Sequence, residues 1–177
     1  MTEKKFPFDS VQGRYWAFFT ELYETHRYYW YYRERARMID RCVSIFLSVV
    51  SLAGVASWAI WAQHKVGWAV VIAVAQILSA ASPHMPFSQQ AHTITFLLPE
   101  LELLIQEVKL KWETICSYEM PSSEIAALTF EYARQLSVIE QKYVSGPDYS
   151  VVNSCLKKAE QDRKAYFAAN YNIDKED

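Results

Sequence analysis

The sequence predicts an all-α membrane protein, in which a two-helix transmembrane hairpin is joined to a cytoplasmic helical bundle. Two uncharged apolar runs occupy residues 42–62 and 66–82, and the first is about 21 residues long. At ~1.5 Å per residue such a helix rises about 30 Å, which is the hydrocarbon thickness of a bilayer. Elsewhere, apolar residues recur at spacings of three and four, which is typical of amphipathic helices.

The chain divides into three predicted segments. Residues 9–41 are expected to form an aromatic and basic helix, cytoplasmic or interfacial, with Asp9 or Ser10 as its N-terminal cap. Residues 42–82 form the transmembrane hairpin. Residues 88–172 form the cytoplasmic helices. We expect these helices at about Ser88–Tyr118, from Ser122 or Ser123 to about Val144, and at about Ser150–Asn170.

The first of these cytoplasmic helices has two notable features. Pro99 lies inside it, so we expect a kink or a restart of the helix there, because proline removes a backbone donor. Its apolar residues at spacings of three and four form a seam, which we expect to be buried between subunits of an oligomer or against the last two helices. The seam consists of Leu97, Leu101, Leu104, Val108 and Trp112.

Composition and motifs argue against an enzyme. The chain has 177 residues, a net charge of −2 and three cysteines without metal-binding or redox spacing. It contains no phosphate-binding glycine loop, HExxH, CxxC or GxSxG motif, and its histidines lie far apart. We therefore expect no catalytic residues, no metal and no cofactor.

Arginines crowd the region before the first apolar run, whereas the turn between the runs offers only Lys65. By the positive-inside rule both termini are expected in the cytoplasm. Tyr29, Arg33, Arg37 and Arg41 follow one another every four residues, so they form a basic stripe on one helix face.

Two interpretations of this stripe stay open. The arginines could anchor the chain to anionic lipid headgroups. Alternatively, several copies around an oligomer axis could form a site for an anionic ligand, because arginine forks suit phosphate and aromatic rings stack on bases. Lys109 and Lys111 could join that site or face solvent.

The apolar runs carry a smaller polar pattern. Ser44, Ser48 and Ser51 lie on one face of the first run, and Gln76 and Ser79 belong to the second. Small and hydroxyl-bearing residues permit close packing of membrane helices. The same residues are also candidates to line a water-filled pore, which would require several subunits because two helices cannot enclose one.

The aromatic, arginine-rich segment YYWYYRERARMIDR, the hairpin with its short turn and the long amphipathic helix resemble the SLATT family of bacterial two-transmembrane effectors. The likeness covers about residues 25–115. It implies a bacterial inner-membrane protein that damages membrane potential in antiphage defence, together with a nucleotide-generating or nucleotide-sensing partner such as a nucleotidyltransferase. One branch with a similar layout is the channel of the Hailong system, which a short deoxyadenosine oligomer holds in check.

Two functions follow as expectations. The first is a homo-oligomeric ion channel effector, tetrameric by analogy, that is gated by a nucleotide or short oligodeoxynucleotide. The alternative is a non-conducting, membrane-anchored scaffold that binds a partner protein through its cytoplasmic helices.

Overall fold

A computed structural model of the chain describes residues 10–56, 65–81, 86–117, 120–144 and 151–171. All regular secondary structure in these ranges is helical, as predicted. The helices, numbered in chain order, are α1 Val11–Ala56, α2 Lys65–Ala81, α3 Pro86–Ser117, α4 Ser122–Val144 and α5 Asn153–Tyr171.

Local chemistry sets several helix ends. The Ser10 hydroxyl accepts a hydrogen bond from Gly13 N at 2.9 Å, so Ser10 is the cap of α1. The Pro121 carbonyl accepts from Glu124 N and Ile125 N at 3.0 and 3.2 Å, which starts α4 immediately after the proline. α3 continues through Pro99, so the expected restart of the helix there is wrong.

Among the described residues, no helix is long and apolar enough to cross a membrane. The predictions of a transmembrane hairpin at 42–62 and 66–82 and of a location in a bacterial inner membrane, with both termini in the cytoplasm, are therefore wrong. The predicted ion channel requires that hairpin and is wrong for the same reason.

Helix length is the physical cause of this difference. The uncharged part of α1 that the structure describes runs from Cys42 to Ala56, about 22 Å at 1.5 Å per residue, and α2 has 17 residues, beginning with Lys65. A transmembrane helix needs about 20 consecutive apolar residues. The first predicted span included residues 57–62, which lie outside the described residues, as do positions 9, 82 and 172 of the predicted segments.

The chain separates into two compact units. Unit 1 comprises Met1–Tyr32 and Thr93–Asp177, and unit 2 comprises Arg33–His92. α1 contributes its first half to unit 1 and its second half to unit 2. The two units are described separately below.

Unit 1 is a helical bundle built on one aromatic and aliphatic core. Tyr15, Phe19 and Leu22 of α1 are fully buried in it, together with the inner faces of α3 and α4 and with Phe167 of α5. The Tyr15 hydroxyl donates to the Val108 carbonyl at 2.9 Å, which satisfies the only polar atom of that side chain. Burial raises the pKa of Tyr15 well above its usual value. α1 and α3 are thus joined by both packing and a buried hydrogen bond.

The tyrosine-rich part of α1 packs against α5 within unit 1. The Tyr31 hydroxyl donates to Asp162 Oδ2 at 2.8 Å, and Arg27 donates to the same oxygen through Nε at 2.7 Å. The Arg27 guanidinium also lies over the Trp30 ring, 4.8 Å from its centroid. This contact with α5 explains why so aromatic a segment is stable on a helix near the surface.

Unit 2 buries only small or polar side chains among those that the structure describes. These are Ala36, Ala75, Ala91 and Gln90. Of its large aliphatic side chains on α1 and α2, some are exposed, such as Ile45 and Ile77, and others are partly exposed, such as Leu47 and Leu78. The described residues of unit 2 therefore include no large side chain that is fully buried.

Candidate functional site

The three arginines of the basic stripe lie on α1 in unit 2, and one carboxylate partly neutralises their charge. Arg33 Nη2 and Arg37 Nη1 lie 3.2 and 3.7 Å from Glu34 Oε1. The Arg33 side chain is only 17% exposed, whereas that of Arg37 is 50% exposed. Arg41 is exposed one turn further along the helix. The part of the stripe best placed to meet an anion therefore consists of Arg37 and Arg41.

Tyr29, the one stripe residue that is not an arginine, belongs to unit 1 and faces an acidic groove. Its hydroxyl lies 3.5 Å from Glu140 Oε1, which is a long contact. Burial raises the pKa of Glu140, the Tyr29 hydroxyl opposes that shift, and the negative charge of Glu21 adds to it. The groove has a volume of about 440 Å³ and is lined by Glu21, Glu24, Thr25, Tyr28, Tyr29, Glu140, Val151 and Leu156.

This lining disfavours the phosphate that the stripe is predicted to bind, because several carboxylates face the same space. Lys109 and Lys111 are half-buried on α3 in unit 1. The nucleotide-binding role of all these residues stays a prediction.

The predicted oligomer seam lies inside the core of unit 1. Leu97, Leu101 and Val108 are fully buried, and Leu104 and Trp112 are at most 5% exposed. The Trp112 ring stacks on Tyr15 of α1, with ring centroids 6.0 Å apart. Of the two expected locations, the structure thus has the seam buried within the chain, against α1 and the other helices of unit 1.

The residues predicted to line a pore are exposed in unit 2. The Ser48 hydroxyl donates to the Ser44 carbonyl and the Ser51 hydroxyl to the Leu47 carbonyl, both at 2.8 Å. Such bonds satisfy a hydroxyl within its own helix. Gln76 and Ser79 on α2 are also exposed. The channel prediction is wrong, so these residues do not line a pore. They form a small, weakly polar face on each of the two helices.

Sequence reasoning missed the large apolar side chains beside that small face. Ile45 and Val49 on α1 are 57% and 58% exposed, and Val70 and Ile77 on α2 are 57% and 67% exposed. The lack of charge in both runs led to the expectation that lipid covers these side chains. The relevant signal was their spacing of four and seven residues, which aligns them on one side of each helix.

A second missed feature is apolar surface on unit 1. Phe96, Leu103 and Leu110 recur every seven residues on α3 and are 54–66% exposed. On α4, Phe130 and Val138 are 74% and 59% exposed. The stripe on α3 is difficult to recognise in the sequence, because the buried seam residues on the same helix show a stronger periodicity.

No group of three or more histidine, cysteine or acidic side chains able to hold a metal ion occurs in the ranges that the structure describes. Comparisons with protein families, curated proteins and solved structures found no match for this chain. The resemblance to the SLATT family therefore stays a prediction.

Proposed function

We propose that the protein is a homo-oligomeric assembly protein, whose copies associate through the exposed apolar faces of α1 and α2 in unit 2. The observation that carries this proposal is the exposure of large aliphatic side chains on two neighbouring stretches of chain without charge. Val66, Val70, Ile77, Ile45 and Val49 are each between 57% and 79% exposed.

The size of this surface supports association. A 17-residue helix is about 25 Å long and about 10 Å wide, so one face of α2 presents roughly 250 Å², and α1 adds a comparable face. Monomeric proteins rarely expose contiguous apolar patches larger than a few hundred Å². Covering each exposed methylene group would contribute roughly 0.8 kcal/mol.

A second copy is the partner that we infer for this surface, because each helix carries small residues beside large aliphatic ones. On α1 the serine face (Ser44, Ser48, Ser51) lies beside the aliphatic face that carries Ile45 and Val49. α2 repeats this pattern with Ala69, Ala73 and Ala80 beside Val70 and Ile77. Large side chains of one copy can therefore pack over the small residues of another, which is the knob-and-hole relationship of associating helices.

The proposal retains one part of the hypothesis based on the family resemblance, an antiphage effector that responds to a nucleotide. Arg37 and Arg41 lie next to the apolar face along α1, so an anion bound there would lower the repulsion between like charges of adjacent copies. A ligand with higher affinity for the assembled state would shift the protein toward that state. A scaffold that binds a different protein stays the alternative.

Light scattering after size-exclusion chromatography, over a wide range of protein concentration, tests self-assembly. We expect the full chain to form a defined oligomer and Val70→Lys/Ile77→Lys to disperse it, because charges in an apolar interface are costly to bury. Ala165→Lys, which adds a charge at an exposed position of α5, is the matched control and should leave the oligomer intact.

Two outcomes would contradict the proposal. One is a wild-type chain that stays monomeric at every concentration. The other is a chain that co-floats with phospholipid vesicles and loses this property in Val70→Lys/Ile77→Lys, which would show that lipid rather than a second copy covers the apolar face.

A further inference from the structure

One position on the buried face of α1 is occupied by a histidine. The core residues of this face follow one another at spacings of four, three and seven, and they are Tyr15, Phe19, Leu22 and Tyr29. His26 lies within the gap of seven, and its side chain is only 14% exposed. An imidazole therefore lies where helix periodicity predicts an apolar side chain.

A carboxylate of α3 faces this imidazole. Glu102 Oε2 lies 3.4 Å from His26 Nε2, and the Glu102 side chain is 51% exposed. The other carboxylate oxygen, Oε1, accepts a hydrogen bond from Gln106 Nε2 at 3.0 Å, one turn further along the same helix. The carboxylate is thus positioned by α3, and it becomes an ion-pair partner of α1 when the imidazole gains a proton.

The charged and titratable groups around this part of α1 come from all four helices of unit 1. They are Tyr23, Glu24, Arg27 and Tyr29 of α1, Glu102 of α3, Glu140 of α4, and Asp162, Arg163 and Tyr166 of α5. Arg27 donates to Asp162 at 2.7 Å, and Arg163 Nε lies 2.8 Å from Glu24 Oε2, so these four charges cancel in pairs. Of the acidic groups named, Glu102 is the one within ion-pair distance of His26.

We propose that His26 and Glu102 form a pH-dependent clamp, which holds α1 against α3 more strongly when His26 is protonated. An imidazole changes its charge between about pH 5 and 8, a range in which glutamate is normally ionised. Partial burial opposes the protonated form, whereas the carboxylate at 3.4 Å favours it. Because the half-exposed carboxylate leaves the pair open to water, we expect the attraction to exceed the cost of burying the charge.

The clamp gives unit 1 a response to acidification. Its contribution to the stability of the folded chain is present below about pH 6.5 and is lost as the pH rises above that value. A change in pH, without any ligand, thereby alters how firmly α1 packs in the bundle. This inference goes beyond the proposed self-assembly and uses none of the residues of α1 and α2 in unit 2.

A proton NMR titration of the full chain tests the contact. Loss of one imidazole signal in His26→Gln assigns His26 among the four histidines. Glu102→Gln removes the negative charge and keeps the shape of the side chain, so it should lower the titration midpoint of His26 by about half a pH unit. Glu107→Gln, at an exposed position five residues later on α3, is the matched control and should leave that midpoint unchanged.

Urea denaturation at pH 5.5 and pH 7.5 tests the effect on stability, at a protein concentration low enough to keep the chain dispersed. Wild type should exceed Glu102→Gln in urea midpoint by about 0.3 M more at pH 5.5 than at pH 7.5. A comparison of the two proteins at one pH removes the contributions of other titrating groups, such as Glu140. In the His26→Gln background, Glu102→Gln should lose this pH-dependent effect.

The results separate this inference from the proposed function. Val70→Lys/Ile77→Lys should leave both measurements unchanged, because the clamp lies within unit 1. An identical titration midpoint of His26 in wild type and Glu102→Gln would overturn the inference. A difference in urea midpoint that is equal at both pH values, or larger at pH 7.5, would also overturn it, since burial of the charge would then outweigh the ion pair.

Discussion

A comparison of the variants Leu101→Ala and Leu103→Ala tests whether the seam on α3 is buried within the chain or between copies. Leu101 is 0% exposed in the core of unit 1, whereas Leu103, two residues later on the same helix, is 66% exposed. Truncation of a fully buried leucine removes transfer free energy and leaves a cavity, so we expect a loss of about 3 kcal/mol in the free energy of unfolding. The same truncation at an exposed site should change it by less than about 0.5 kcal/mol.

Urea denaturation followed by far-UV circular dichroism gives both values, at a protein concentration low enough to keep the chain dispersed. With a denaturant slope of about 2 kcal/mol per molar, Leu101→Ala should lower the urea midpoint by about 1.5 M. Because Leu101 packs within its own chain, this shift should not depend on protein concentration. Equal shifts in the two variants, or a Leu101→Ala effect that grows with protein concentration, would show that the seam lies between copies.

Three further predictions address the polar sites. The pKa of Glu140 is raised in the folded state, mainly by burial. The stability that its protonated form contributes is therefore present below the unfolded pKa and is lost as the pH rises through the folded pKa. Because glutamine cannot ionise, Glu140→Gln should raise the urea midpoint at pH 7 more than at pH 4. Asp162→Ala should cost about 1–3 kcal/mol, because it leaves Arg27 and Tyr31 without their shared acceptor, whereas Lys164→Ala should leave the thermal midpoint unchanged. Arg37→Ala should weaken binding of a fluorescent deoxyadenosine oligomer, and wild-type binding should fall steeply with salt; unchanged affinity and salt dependence would place the ligand site elsewhere.

Helix periodicity predicted much of the fold, because it reports which face of a helix is buried. The helix predicted from Ser122 or Ser123 to about Val144 corresponds to α4, and Ser10, one of the two expected caps, is the cap of α1. The seam residues are buried as their spacing indicates. Periodicity does not identify what covers a face, however, so the sequence left open whether the seam packs within the chain or between subunits.

The same ambiguity explains the wrong prediction for the two uncharged runs. An apolar helix without a polar face indicates that something apolar must cover it, and both lipid and protein meet that condition. The acidic groove could not be predicted for a different reason. Tyr29 and Glu140 are 111 residues apart in sequence, and no local pattern reports a contact of that kind.

The two units differ in how they gain stability, and this difference bears on function. Unit 1 buries large side chains such as Phe19 and Trp112 in its own core, so its folding should not depend on other copies. The buried side chains described in unit 2 are small or polar, while Ile45 and Ile77 are exposed. If copies associate through unit 2 as proposed, that association would add to the stability of unit 2 and would make its order depend on protein concentration. A ligand that binds Arg37 and Arg41 and shifts the association equilibrium would therefore also change the stability of α1 and α2, and this coupling is a physical means by which an anionic signal would control the protein.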